Sequence, residues 1–403
     1  MTDLPGRKVR LGVINTHPIQ YVAPLLRRLN ETSDIEVVPI YLTDFSLRGA
    51  VDPQFGRKVV WDIDLLAGTI PVFVPGFQTR KLAAGAFAMP APAVWNIVRG
   101  LRLDSLLIFG HVQLANHIAL LAAKSQGIPV FYRGETHLQL ERSGASRVAR
   151  RLLMGSYYKL FDGFLAIGTL NRLFYLAMGV PERKIFWAPY AVDNERMVQS
   201  AALSPSARAD LRHSLGARND VPLLVYASKL TRRKHPDNVL EAAQILRREG
   251  LDFDLLFVGT GEMEAFLREA SQDVPGAAPI FAGFKNQSEL PSVMGSADIF
   301  ILPSENEPWG LIINEAMCAG LVIVTTHEVG SVPDLVKDGD NGRLYPAGDV
   351  AALVDVLRPL IADPALTARM GEESRRIIAK WGYAEDIEGI RAALRATGRL
   401  SAI

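Results

Sequence analysis

An alternation of two kinds of segment constrains this chain more than any other feature. Short apolar, β-rich runs are separated by longer stretches whose apolar residues recur at helical spacing, a pattern that builds parallel sheets covered by helices. In the first half the expected strands are Val9–Ile14, Ile35–Leu42, Ser105–Phe109, Ile128–Tyr132, Phe164–Ile167 and Ile185–Trp187. Helices are expected over Pro18–Leu29, Val112–Gln126 and Ser146–Leu160. Thr43–Ala93 holds many Gly and Pro residues with weak periodicity, so it reads as long loops with some short strands. Around Pro189–Pro205 the pattern breaks and a second series begins. Its strands are expected over Leu223–Ala227, Phe253–Val258, Pro279–Ala282, Asp298–Leu302 and Leu321–Thr325. Helix Asp237–Arg248 carries Pro236 at its start and Gly250 at its end, with Val239, Leu240, Ala243 and Leu246 as its apolar stripe.

A chain of 403 residues exceeds a typical single core. The expected architecture is α/β, two Rossmann-like domains over residues 1–192 and 193–380 with parallel sheets facing across a cleft. Ligands of such sheets sit beyond the carboxyl ends of the strands. A formal net charge of +1 supplies no field for a nucleic-acid partner. The single cysteine, Cys318, suits a reducing compartment. No run of 18 apolar residues and no signal-peptide h-region occurs, so a cytoplasmic protein is expected.

The segment from Asp298 to Glu315 reads as a buried strand, a polar loop and a helix beginning near Gly310. The first amides of that helix, on Gly310, Leu311 and Ile312, suit an anion such as a diphosphate. Glu307 in the loop and Glu315 in the helix flank them, and carboxylates accept hydrogen bonds from vicinal hydroxyls. Amides for phosphate beside carboxylates for hydroxyls suit a sugar nucleotide. The competing reading makes Glu307 a helix-dipole partner and Glu315 a solvated side chain. Pro303–Gly320, continued by Val329–Asp334 and Asp338–Gly342, resembles the donor-site signature of family 4 retaining glycosyltransferases, which have the GT-B fold. The resemblance covers nearly all of residues 220–380. It implies that Glu307 contacts donor-sugar hydroxyls, that Glu315 contacts the ribose, and that the Gly310 and Leu311 amides hold the sugar end and phosphate.

Strand Leu223–Ala227 delivers Ser228–Lys234 to the same end of its sheet, where Lys229 and Lys234 can neutralise a departing diphosphate. A solvated basic loop is the alternative. The family carries a basic pair at this spacing, with Arg usual at position 229 and glycines usual at 228 and 235; lysine keeps the charge without the bidentate fork. The resemblance also places Gly259 and Gly261 near the nucleotide and Phe284 at its base.

Asp62–Asp64 and Asp338–Asp340 have Asp-x-Asp spacing, but turn chemistry explains the second and the first has no partner motif. Seven histidines include no metal-ligand pair, no Gly-x-Ser-x-Gly occurs, and Cys318 lies on an apolar helix face. No metal and no cofactor is expected, the nucleotide sugar being a co-substrate. Retaining enzymes of this fold transfer the sugar on the face the nucleotide leaves, with the leaving phosphate helping to deprotonate the acceptor.

In the first half, His17, Gln20 and Tyr21 stand where the family commonly has a glycine-rich turn, a departure resembling one subgroup of bacterial cell-surface polysaccharide transferases. A capping or buried histidine is the competing reading of His17. His111 follows a strand and is expected at the cleft mouth. After the strand at 128–132 come Arg133, Glu135 and His137, and Glu135 occupies the position where the family places a histidine near the reaction centre. Glu135 can accept from a donor hydroxyl or orient Arg133 or His137; a surface Arg133–Glu135 pair is the alternative. These residues are the acceptor-side candidates. Arg147, Arg150, Arg151 and Lys159 line an amphipathic helix that can rest on an anionic membrane or be an ordinary surface helix. The expected activity is transfer of a hexose-type sugar from a UDP- or GDP-sugar to a sugar or lipid-linked acceptor, with peripheral contact at the inner membrane face. A nucleotide-sugar epimerase and an inactive scaffold are the alternatives. The resemblance further implies that helix 384–397 crosses back onto the first domain.

Overall fold

The computed structural model describes residues 7–49, 51–52, 57–76, 92–138, 145–272, 276 and 278–401. The chain divides into two compact units, one of Met1–Val51, Lys58–Tyr190 and Tyr383–Ile403, the other of Asp52–Arg57 and Ala191–Gly382.

The strands up to the second unit are β1 (Val9–Asn15), β2 (Ile35–Tyr41), the two-residue pair β3 (Val51–Asp52) and β4 (Arg57–Lys58), β5 (Val72–Phe73), β6 (Ser105–Phe109), β7 (Val130–Arg133), β8 (Gly163–Ala166) and β9 (Ile185–Trp187). The helices among them are α1 (Ala23–Asn30), α2 (Pro92–Gly100), α3 (Leu114–Ser125), α4 (Ala145–Tyr158) and α5 (Thr169–Ala177). Seven strands form one sheet in the order β5-β2-β1-β6-β7-β8-β9, every pairing parallel. Parallel strands covered on both faces must be apolar on both, and Leu106, Leu107 and Ile108 of β6 are accordingly all buried.

The second unit opens with α6 (Asn194–Ala201) and α7 (Pro205–Leu215). Strands β10 (Leu223–Ala227), β11 (Asp254–Val258), β12 (Ile280–Gly283), β13 (Ile299–Leu302), β14 (Val322–Thr326) and β15 (Gly342–Tyr345) follow. They alternate with α8 (Pro236–Arg248), α9 (Glu264–Ala270), α10 (Leu290–Ser296), α11 (Leu311–Cys318), α12 (Val332–Leu335), α13 (Val350–Ala362) and α14 (Pro364–Ile378). The sheet order is β12-β11-β10-β13-β14-β15, again parallel throughout. Numbered within each sheet, both begin 3-2-1-4, the doubly wound order whose switch point lies between its first and fourth strands. The switch points are therefore β1/β6 in the first unit and β10/β13 in the second.

The last helix, α15 (Tyr383–Ala396), belongs with the first unit, against β8, β9 and α1. A Cβ on Gly389 would lie 2.0 Å from the Trp187 carbonyl oxygen, so only glycine lets this helix lie so close to β9. Most expected boundaries shift by no more than two residues, but α1 starts at Ala23, not Pro18. The Val22 and Ala23 amides both return to the Ile19 carbonyl, while the Thr16 and Pro18 carbonyls accept from the Thr43 amide and the Ser46 hydroxyl. Residues 16–22 are thus a loop bound to its neighbour before the helix can begin.

Candidate functional site

At the β10/β13 switch point two loops meet. The first leaves β10 as Ser228–Thr231, makes a single 3-10 turn over Arg232–Lys234, and passes through His235 into α8. His235 takes a left-handed conformation (φ 44°, ψ 48°), which explains why glycine is usual there. The buried Tyr226 hydroxyl donates to the Lys229 carbonyl at 3.0 Å and so pins the loop. The second loop runs from Pro303 to Gly310, held by the Thr325 and Thr326 hydroxyls, which donate to the Leu302 and Ser304 carbonyls. The Gly330 amide donates to the Glu307 carbonyl at 2.9 Å. A Cβ on Gly330 would stand 2.0 Å from the Pro308 carbonyl oxygen, which accounts for the glycine in the Val329–Asp334 motif. Trp309 is buried, donates from Nε1 to Asn314 Oδ1 at 3.0 Å, and stacks on Trp381.

These supports bring together the residues the sequence singled out. Lys234, only 8 % exposed, forms an ion pair with Glu307. Arg233 reaches the same carboxylate, its Nη1 lying 3.3 Å from Glu307 Oε2 and 3.3 Å from the Asn306 carbonyl. Burial pushes the Lys234 ammonium below its ordinary pKa; Glu307 opposes that shift, and Arg233 and Lys229 add to it. Two basic groups therefore meet on one carboxylate, with the Lys229 charge close enough to act on Lys234. Gly310 caps α11 with φ 83°, a left-handed conformation suited to glycine. Helix geometry leaves the Leu311 and Ile312 amides without intrahelical carbonyls. The arrangement can hold an anion at the helix terminus, cations beside it and a hydroxyl acceptor at Glu307.

Gly259 and Gly261 occupy the next loop, where their first duty is close packing. Cβ atoms there would lie 2.0 Å from the Ser228 carbonyl oxygen and 2.4 Å from that of Leu230. The Gly259 amide donates to the Gly283 carbonyl at 2.8 Å, so it is already used within the fold. Phe284 follows β12 at the same end of the sheet and is half-buried. Glu315 is also half-buried, not solvated. Burial pushes its carboxyl up to about 7, against Arg196 and a hydrogen bond from Gln287, which favour the charged form.

The first unit's switch point has a different character. His17 is half-buried, shares a hydrogen bond of 2.9 Å with the Thr16 hydroxyl and meets Phe45 edge-on. Burial lowers its pKa to about 4, which favours the neutral ring. Gln20 is half-buried, and Tyr21 meets Tyr190 edge-on. Arg133 requires a correction. It is neither at a surface nor paired with Glu135: it is 2 % exposed and forks onto Asp386 of α15 with bonds of 2.6 and 2.8 Å. A buried guanidinium needs a buried counter-charge, and the nearest one comes from 253 residues away. His137 is buried too. Glu135 is exposed and accepts from the Tyr190 hydroxyl at 2.6 Å. His111 shares a 2.7 Å hydrogen bond with the Tyr132 hydroxyl. Glu135, His111, Asn116, Ile19 and Tyr190 line a cavity of about 320 Å³ at the carboxyl ends of this sheet's strands.

Elsewhere, Asp64 accepts from the Leu66 amide and Asp338 from the Leu344 amide, turn bonds for both Asp-x-Asp segments. Cys318 is buried, its thiol pushed up to about 12 by burial. Among the described residues no three His, Cys, Asp or Glu side chains are grouped as a metal ion would need. No helix among them is long and apolar enough to cross a membrane. In α4, Arg151 and Leu153 are exposed, as is Lys159 just after it; the side chains of Arg147 and Arg150 lie outside the described residues. Three contributors went unnamed in the sequence: Arg233, whose basic run left the choice of cation open, and Arg196 and Gln287, which no motif marks.

Residues 207–377 match the family of glycosyl transferases group 1. The GDP-mannose-dependent alpha-(1-6)-phosphatidylinositol monomannoside mannosyltransferase of Mycolicibacterium smegmatis is 31% identical over 231 residues, 55% of this chain and 58% of that protein. The amylovoran biosynthesis glycosyltransferase AmsK of Erwinia amylovora is 30% identical over 211 residues, 50% of this chain and 48% of that protein. The chain spans about half the length of the curated relatives it matches. In fold it is similar to Anabaena Alr3699/HepE, solved in complex with UDP, with a TM-score of 0.72 at 18% identity over 97% of this chain and 100% of that one. The GT-B fold class expected from the sequence is borne out, as is the family resemblance carried by Pro303–Gly342.

Proposed function

From that family match we propose that this chain is a retaining glycosyltransferase, moving a hexose-type sugar from a nucleotide-sugar donor to a sugar or lipid-linked acceptor without a metal ion. The observation that carries the reading is the meeting of Arg233 and Lys234 on Glu307, with the Lys229 charge near Lys234, in the loops that lead to the first turn of α11. In this reading the α11 amides and the three cations take the diphosphate, replacing the charge a metal would supply as the leaving group departs. Glu307 exchanges its lysine for donor-sugar hydroxyls, and Glu315 takes the ribose. Sugar transfer on the face the nucleotide leaves, with the leaving phosphate receiving the acceptor proton, requires no enzyme nucleophile. Relatives named for amylovoran biosynthesis and for a phosphatidylinositol mannoside support a polysaccharide or lipid-linked acceptor. The exposed Arg151 and Leu153 of α4, with Lys159 just after it, support contact with an anionic membrane face.

Thermal unfolding with UDP, GDP, ADP and TDP, each with and without EDTA, tests the donor site. A ligand that binds only the folded state raises its stability by RT ln(1 + [L]/Kd), about 2.7 kcal/mol at a hundredfold excess over Kd. One nucleotide is expected to raise Tm, and EDTA to leave the shift unchanged. No shift with any of them at millimolar concentration would overturn the reading.

A further inference from the structure

Three amide side chains of the first unit end in atoms that the fold itself does not use. Asn15, Gln113 and Asn116 are 5 %, 7 % and 2 % exposed. Asn15 Nδ2, Gln113 Oε1 and Asn116 Oδ1 are buried without a hydrogen-bond partner among the described residues. Burying a polar atom unpaired is costly, so three such atoms together call for a cause. Two of them are oriented by bonds at the other end of the amide. Asn15 Oδ1 accepts from the Thr16 amide at 2.8 Å, which leaves Nδ2 as the free donor. Asn116 Nδ2 donates to the Phe109 and Gly110 carbonyls at 3.0 and 3.1 Å, which leaves Oδ1 as the free acceptor. Neither amide can be flipped, since a carbonyl cannot donate and an amide nitrogen cannot accept. Gln113 stands at the head of α3, where its carbonyl accepts from the Asn116 amide at 3.0 Å. All three side chains line the same cavity, whose lining lies wholly within the first unit.

Charge decides what can fill that cavity. Arg133 is matched by Asp386, and its guanidinium lies 5.7 and 5.4 Å from the ring centroids of Phe109 and Tyr190. Its Nε is a further buried donor without a partner, but the charge behind it is already neutralised. No other arginine or lysine is in the described lining, His111 shares its Nδ1 with the Tyr132 hydroxyl, and Glu135 adds a carboxylate. An anionic group would therefore meet a negative charge and no unmatched arginine or lysine. A hydroxyl both donates and accepts, so the hydroxyls of one ring can serve Asn15 Nδ2 and the Gln113 and Asn116 oxygens together. Ile19, Val22 and Ile167 offer apolar wall to its C–H faces. The volume of about 320 Å³ suits a single ring, at the small end of ligand pockets of roughly 300–1,000 Å³. We propose that Asn15, Gln113 and Asn116 recognise one uncharged sugar ring of the acceptor, and that this cavity rejects acceptors bearing a phosphate or carboxylate on that ring. The inference rests on the transferase reading above and adds the acceptor's chemical class to it. The cations assigned to the donor diphosphate lie in the second unit, so the ring held here is the acceptor's.

Ligand-observed NMR titration of the full chain tests this with the methyl glycosides of glucose, mannose, galactose and N-acetylglucosamine. Glucose 6-phosphate, mannose 6-phosphate and methyl glucuronide are titrated in parallel, as are UDP and GDP. At least one methyl glycoside is expected to bind, and the charged sugars to bind about tenfold or more weaker. Asn15→Asp keeps the acceptor for the Thr16 amide and replaces the free donor with a second acceptor. Gln113→Met keeps the side-chain length and removes the free acceptor. Asn116 is left alone because its Nδ2 holds the turn at Phe109–Gly110. Each variant is expected to weaken the glycoside about tenfold while the Kd of the nucleotide stays within about twofold. The two substitutions are independent, so one remains informative if the other does not fold. Unchanged glycoside binding in either folded variant overturns the inference, because water then satisfies the amide. Tighter binding of the charged sugars overturns it too. Wild-type protein that binds a nucleotide and no glycoside overturns it and leaves the donor site standing. Wild-type protein that binds neither overturns the inference together with the function it rests on.

Discussion

The two units wind their sheets in the same order, yet their switch points hold opposite kinds of chemistry. At β10/β13 the loops present charge: Lys234 and Arg233 converge on Glu307, on loops pinned by the Tyr226, Thr325 and Thr326 hydroxyls. At β1/β6 and the neighbouring β7 the charge is consumed by the fold. Arg133 is spent on Asp386, burial lowers the pKa of His17, and the cavity beside them mixes apolar and aromatic side chains with polar ones. Identical topology delivers residues to the same place; burial and the availability of a counter-charge decide whether they remain available to a ligand. Glu135 is the exception in the first unit, since its partner Tyr190 is a neutral donor that leaves the carboxylate its charge.

The comparison breaks most directly at the buried pair. Arg133→Met leaves Asp386 buried without its counter-charge and is expected to cost about 3–5 kcal/mol of folding stability in chemical denaturation. Adding Asp386→Leu to that variant should recover most of the loss, because a neutral pair of similar volume removes the stranded charge. If Arg133→Met left stability unchanged, the first unit's charge would not be structural. Next in size is the second unit's pair. Glu307→Gln and Lys234→Ala are each expected to lower transfer about a hundredfold or more while the protein stays folded. Near-normal turnover in either variant would remove that residue from the site. A stability loss in Lys234→Ala as large as that of Arg133→Met would erase the contrast between the units.

The smallest effect concerns His17. Its folded-state pKa of about 4 lies below the ordinary 6.5, so the folded state favours the neutral ring. The stability tied to that ring is therefore present in full above pH 6.5 and is lost as pH falls towards 4. His17→Phe keeps an aromatic ring beside Phe45 and removes the titration. Wild-type protein should lose on the order of 1 kcal/mol more stability than this variant between pH 6.5 and 4.5, read from denaturation midpoints. Identical pH profiles would show that His17 is solvated and available to a ligand.

Much of this could be read along the chain, and the reasons are local. Runs such as Leu223–Ala227 and Ser105–Phe109 are strands in the fold with the boundaries expected, because a strand buried on both faces needs an unbroken apolar run. Gly310 marks the start of α11 because the position requires a left-handed backbone. The Glu307-to-Glu315 spacing crosses one loop and one helix turn, so its geometry is nearly a property of the segment. The start of α1 was misjudged because the bonds of residues 16–18 go to residues 43–46, outside any local pattern.

What tertiary structure alone decided is who meets whom across long separations. Arg133 and Glu135 are two residues apart, but the strand ends between them, and one turns inward to Asp386 while the other stays exposed. Gln287 and Arg196 stand 91 residues apart and carry no signature, since one planar fork on one side-chain amide leaves no trace in spacing or periodicity. Gly259 and Gly261 look like a phosphate turn in sequence and prove to be required first by the carbonyls of Ser228 and Leu230. Periodicity records which face of an element is buried. The counter-charge or carbonyl waiting on the other side is set by packing, and only the folded chain reveals it.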